Sequence, residues 1–106
     1  MTKTVSGDMA EAQKNNPPLL TSTLIIRNKR GLHARAAARF VTLADTFDAD
    51  ITVSRGGQTV SGLSIMGLMM LAAAPGCEVD LCISGRQAEK AMAALRGLIE
   101  AKFEED

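Results

Sequence analysis

His33 lies in the run Gly31-Leu32-His33-Ala34-Arg35-Ala36-Ala37-Ala38, where a glycine-marked turn gives way to an alanine-rich helix, and the chain has no second histidine. The first backbone N–H groups of a helix have no partner within it, so they and the positive end of the helix dipole attract an anion. Arg35 follows close behind, with a guanidinium that chelates phosphoryl oxygens. Imidazole is mostly neutral near pH 7, its unperturbed pKa being about 6.5, and its free nitrogen is then available as a nucleophile. These residue types at this spacing suit a histidine that carries a phosphoryl group. Each also has a plain structural reading, His33 as a residue at a helix start and Arg35 as a solvated helix position.

A second informative run is Ser64-Ile65-Met66-Gly67-Leu68-Met69. Ser64 has the character of an N-cap, its hydroxyl accepting from a free N–H of the helix it begins. Ile65, Met66, Leu68, Met69, Met70 and Leu71 leave that helix almost no polar face, the mark of a buried helix. In a small two-layer domain, however, one side of a helix faces away from the sheet. Several of these side chains are then expected in solvent, where an apolar patch marks a partner surface and methionine repacks readily against different partners.

The surrounding elements must place these two runs. Leu20 to Arg27 reads as a first strand leading into the Asn28 to Gly31 turn. Ala37, Phe40, Val41 and Ala44 repeat at helical spacing, which predicts a helix from His33 to near Thr46. Ile51 and Val53 alternate with Thr52 and Ser54, Gly56-Gly57 supplies a tight turn, and Gln58 to Ser61 returns as a partner strand. The apolar helix spans Ser64 to about Ala73 and stops before Pro75-Gly76. Val79, Leu81 and Ile83 alternate with polar neighbours as a half-buried strand, and a last helix from Arg86 carries Ala88, Ala91, Met92, Leu95 and Ile99 on one stripe. The expected order is strand, helix, strand, strand, helix, strand, helix. Such a chain predicts a two-layer open-faced α/β (α+β) sandwich, with a four-stranded antiparallel sheet covered on one face by three helices.

The Gly31, His33, Arg35 spacing resembles the active-site signature of HPr, the histidine-containing phosphocarrier family of the bacterial phosphotransferase system. The Ser64 to Met69 run resembles that family's second signature and follows at the matching separation. The resemblance covers residues 19–106 and implies the same sandwich fold. It implies a phosphoryl carrier rather than a conventional enzyme. Phosphoryl would pass from Enzyme I to Nδ1 of His33 and onward to a IIA-type acceptor, with N–H groups around Ala34 and Arg35 holding the phosphoryl oxygens. No cofactor or metal is called for. By the same resemblance, Ile65, Met66 and Met69 match docking positions and Ser64 matches a serine phosphorylated by a dedicated HPr kinase/phosphorylase. Two positions depart from the pattern: Ala36 stands where proline is usual, and Leu63 where lysine often precedes the serine.

At 106 residues the chain supports one domain, and twelve basic residues balance twelve acidic ones. Nothing in that balance announces nucleic acid or an acidic membrane surface. No run is long and apolar enough for a membrane helix or a secretion signal, so a cytoplasmic protein without membrane insertion is expected. Residues 1–18, ending in Asn15-Asn16-Pro17-Pro18, read as a flexible leader. Cys77 and Cys82 are five apart in a segment with strand pattern, so their side chains point to opposite faces and both are expected as reduced thiols. Arg27, Lys29, Arg30, Arg35 and Arg39 cluster around His33 and should attract acidic partners. A binding module without phosphotransfer is one rival reading. An RNA-binding domain is another, but the chain has no Trp or Tyr and only three Phe for base stacking. A monomer that docks transiently through its apolar patch is the expected state.

Overall fold

The computed structural model describes residues 19–105, so the expected leader over residues 1–18 lies outside the described residues. The elements are β1 (Leu19–Ile25), α1 (Ala34–Ala44), β2 (Asp50–Arg55), β3 (Gln58–Ser61), α2 (Ile65–Met70), β4 (Glu78–Ser84) and α3 (Ala88–Glu100). A short 3-10 segment, Lys102–Glu104, follows α3. The strands form one antiparallel sheet in the order β1-β4-β2-β3. This is the open-faced sandwich that the residue pattern predicts.

Period-two alternation decides which face of the sheet is covered. Val79, Leu81 and Ile83 of β4 are buried, and the register sets Leu24 of β1 beside Val79 and Ile51 and Val53 of β2 beside Ile83 and Leu81. Against this face pack Ala36, Ala37, Phe40 and Ala44 of α1 and Ala88, Ala91, Met92, Leu95 and Ile99 of α3. The other face carries Thr21, Thr23, Thr52, Ser54, Asp80 and Cys82. Its polar groups pair across strands, Thr23 Oγ1 donating to Asp80 at 2.6 Å and Ser54 bonding Thr59 at 2.7 Å. Gly56 and Gly57 both have positive φ, 58° and 88°, the backbone a two-residue hairpin turn requires.

The apolar helix is shorter than its sequence pattern suggests. It ends at Met70, Leu71 caps it, and Ala72 enters the left-handed region at φ 54° where glycine is usual. Leaving the helix there brings the Ala73 carbonyl to the Leu32 N–H at 3.0 Å. The first strand likewise ends two residues early, although Ile26 still bonds Cys77 and Gly76 through its backbone. Cys77 falls just before β4 rather than within it and receives a bond from Arg55, while Cys82 lies in β4; both are free thiols.

After α3 the chain turns back on itself. Lys102, Phe103 and Glu104 have φ of 57°, 55° and 61°, three successive non-glycine residues in the left-handed region. Such a backbone costs about 1–2 kcal/mol per residue. Burial of the Phe103 side chain, wholly removed from solvent, offsets about 1.5–3 kcal/mol of that. Arg39 of α1 adds a bond to the Phe103 carbonyl. The turn directs Glu105 towards the start of α1.

Candidate phosphohistidine site

His33 is the N-cap of α1, with extended backbone at φ −80° and ψ 178°. Its N–H bonds the Gly31 carbonyl at 2.9 Å, and its own carbonyl accepts the first helical bond from Ala37 at 2.9 Å. The imidazole makes no capping bond, so the amides of Ala34, Arg35 and Ala36 keep the orphan character of a first helical turn. Gly31 makes this geometry accessible. Its φ is 64°, and a Cβ there would lie 2.3 Å from the Ala73 carbonyl oxygen.

The imidazole is oriented from the other end of the chain. Nε2 lies 2.9 and 3.0 Å from the two carboxylate oxygens of Glu105, and the side chains are 17% and 9% exposed. Asn28, fully buried in the turn before His33, donates through Nδ2 to Glu105 Oε2 at 2.8 Å and to the Gly31 carbonyl at 2.8 Å. Both partners are acceptors, which fixes the amide orientation and leaves Asn28 Oδ1 without a bond. The Asn28 bond is foremost in holding the Glu105 carboxyl below its ordinary pKa; burial opposes it, and His33 and the Arg35 charge help. Glu105 is therefore an ionised carboxylate that accepts from an Nε2–H at neutral pH.

Arg35 is exposed beside the helix start, and Ala34 is exposed with it. Arg27, Lys29 and Arg30 of the neighbouring turn are exposed too, forming a basic rim, whereas Arg39 is half-buried and engaged with Phe103. Ala36, which stands where proline is usual in the pattern, is wholly buried in the first turn of α1, and alanine is a strong helix former. Among the described residues no cluster of three His, Cys, Asp or Glu side chains is placed to hold a metal.

Beside α1 lies α2. Ser64 is its N-cap, Oγ accepting from the Gly67 N–H at 2.9 Å. Leu68 and Leu71 enter the core, while Met66 and Met70 are 69% and 64% exposed, Leu63 50%, and Ile65 and Met69 39% each. The apolar helix thus divides between core and surface. Met70 and Leu63 extend the patch beyond Ile65, Met66 and Met69. Asn28, Phe103 and Glu105 are site residues that the sequence pattern does not single out. Phe103, an isolated aromatic in a charged tail, is the one local sign that this tail folds back.

Residues 20–101 match the family model described as the phosphorylation site of the HPr component of the phosphotransferase system. The chain belongs to the HPr phosphocarrier family. An HPr from Xylella fastidiosa is 43% identical over 88 residues, 83% of this chain and 99% of that protein. The phosphocarrier NPr of Shewanella violacea is 42% identical over 86 residues, 81% of this chain and 94% of its own. A crystal structure of HPr from Thermoanaerobacter tengcongensis superposes with a TM-score of 0.79 at 44% identity, covering 82% of this chain and 98% of that one. HPr proteins are carriers rather than catalytic enzymes. Proteins named HPr and NPr thus match this chain at comparable identity.

Proposed function

We propose that this protein accepts a phosphoryl group from phospho-Enzyme I on Nδ1 of His33 and passes it to a IIA-type acceptor in the cytoplasm. The observation that carries this reading is the position of His33 as the N-cap of an eleven-residue helix, with first-turn amides and Arg35 beside a ring whose Nε2 is already engaged. Nδ1 is then the nitrogen left to attack. Its lone pair forms a bond to phosphorus as the bond between phosphorus and the donor's histidine nitrogen breaks, and that electron pair returns to the donor ring. The three phosphoryl oxygens keep their charge throughout. The amides of Ala34 and Arg35 and the Arg35 guanidinium meet that charge, and positioning with electrostatics supplies the assistance.

Docking uses the exposed side of α2, with Ile65, Met66 and Met69 at its centre, flanked by Met70 and Leu63. The basic rim steers acidic partner surfaces towards it. Ser64 is the site of regulatory phosphorylation by a serine kinase, adding close to two negative charges at the edge of the apolar patch. The protein acts as a monomer, so that this patch stays open for successive partners. Intact mass after incubation with phosphoenolpyruvate and Enzyme I tests the reading. One acid-labile phosphoryl increment in the parent, absent from His33→Ala, supports it; no increment beside a working HPr control refutes it.

A further inference from the structure

We propose that Met66, Met69 and Met70 form an oxidation-sensitive surface, on which hydrogen peroxide converts exposed thioethers to sulfoxides and so reversibly weakens docking on α2. The inference rests on the docking role given to this helix and adds a chemical modification that regulates it. Three of the six methionines of the chain fall within positions 66–70. At spacings of three and four residues, Met69 and Met70 both neighbour Met66 on the helix surface. Met66 and Met70 are 69% and 64% exposed and Met69 39%, whereas Met92 of α3 belongs to the core and is 7% exposed. The same residue type thus occupies two environments, and the one on α2 is open to an aqueous oxidant.

The thioether sulfur attacks one oxygen of the peroxide, an S–O bond forms as the O–O bond breaks, and the departing oxygen takes up the remaining protons as water. Sulfur loses two electrons and the peroxide gains them. A flexible apolar side chain becomes a polar one, and methionine sulfoxide reductases return it with electrons from a dithiol. The fold is insulated from this change. Leu68 and Leu71 anchor α2 in the core and the Ser64 hydroxyl caps its start, so the helix is held by groups that peroxide leaves unaltered. In the free protein the new S–O dipoles stay in water. When a partner seats on the patch they must be stripped of that water, a cost that the unmodified thioethers do not carry. The modification is therefore read by the partner, in docking, and reaches neither the core nor His33.

The test treats the full chain with limiting hydrogen peroxide, then with dithiothreitol, which returns oxidised Cys77 and Cys82 to thiols and leaves sulfoxides in place. Peptide mass spectrometry should find oxygen added at Met66 and Met70 about tenfold faster than at Met92, in line with their exposure. In steady-state phosphorylation by phosphoenolpyruvate and Enzyme I, KM for the oxidised protein should rise about fivefold with kcat within about twofold. Its thermal transition should match the parent's, and treatment with methionine sulfoxide reductases A and B should restore KM. A protein carrying Met66→Leu, Met69→Leu and Met70→Leu, whatever its own KM, should keep that KM through the peroxide treatment. The inference is overturned by a rise in KM that the reductases do not reverse or that the leucine protein shares, by a changed thermal transition, or by Met92 reacting as fast as Met66. An unchanged KM after oxidation, beside a Met66→Asp protein whose KM does rise, also overturns it and leaves the docking reading standing. An unchanged KM in both would refute the docking reading, and this inference with it.

Discussion

Leu32 donates its backbone N–H to the Ala73 carbonyl at 3.0 Å, which ties the turn before His33 to the chain leaving α2. The histidine and the methionine patch are thereby held on one rigid frame. On the proposed docking, a donor protein seated on α2 would meet the imidazole in a fixed relation, which in-line transfer to His33 would require.

Gly31 is the residue that permits this tie. Gly31→Ala combines a left-handed φ of 64° with a Cβ 2.3 Å from the Ala73 oxygen, so the turn must move. Urea unfolding should show a loss of about 3 kcal/mol. A loss within experimental error of zero would mean that the contact is looser than its geometry indicates.

Substitutions at Ser64 separate its capping bond from the proposed regulatory phosphorylation. Ser64→Ala removes the acceptor of the Gly67 N–H and should cost about 1 kcal/mol of stability while leaving phosphoryl acceptance near the parent rate. Ser64→Asp keeps a capping oxygen and adds charge beside the patch. It should fold as well as the parent and accept phosphoryl from Enzyme I more slowly; equal rates would refute the regulatory role assigned to this serine.

Met66 is 69% exposed, so Met66→Asp should leave thermal stability almost unchanged, within about 0.5 kcal/mol. If α2 is the docking surface, the Enzyme I concentration for half-maximal rate rises by about tenfold, as loss of a central apolar contact implies. An unchanged KM would place docking elsewhere.

Much of this frame is legible in the sequence because it rests on short-range pattern. The alternation of Val79, Leu81 and Ile83, the stripe from Ala88 to Ile99 and the Gly56-Gly57 turn each specify an element from neighbours in the chain. The end of α2 is less legible, since Ala72 and Ala73 are good helix residues and only the distant Leu32 N–H calls the chain away. The Glu105 contact is illegible for the same reason. It joins residues 72 apart through three left-handed residues, none of them a glycine that would have marked a turn.

The lowered pKa of Glu105 gives a dependence of stability on pH. A carboxyl held lower in the folded state than in the unfolded one binds fewer protons when folded, so its contribution is fully present above the ordinary glutamate value of about 4.3. It is lost as pH falls through the lower folded value. The stability difference between the parent and Glu105→Gln should narrow progressively as pH falls below about 4 and the carboxylate is protonated. A difference that fails to narrow below about pH 4 would contradict an ionised Glu105.

The site of attachment is the most direct test. With 15N-labelled histidine, the protein phosphorylated through Enzyme I and phosphoenolpyruvate should show 15N–31P coupling at Nδ1 of His33 and a protonated, uncoupled Nε2. Coupling at Nε2, or a phosphoryl group on any residue other than His33, would contradict the account.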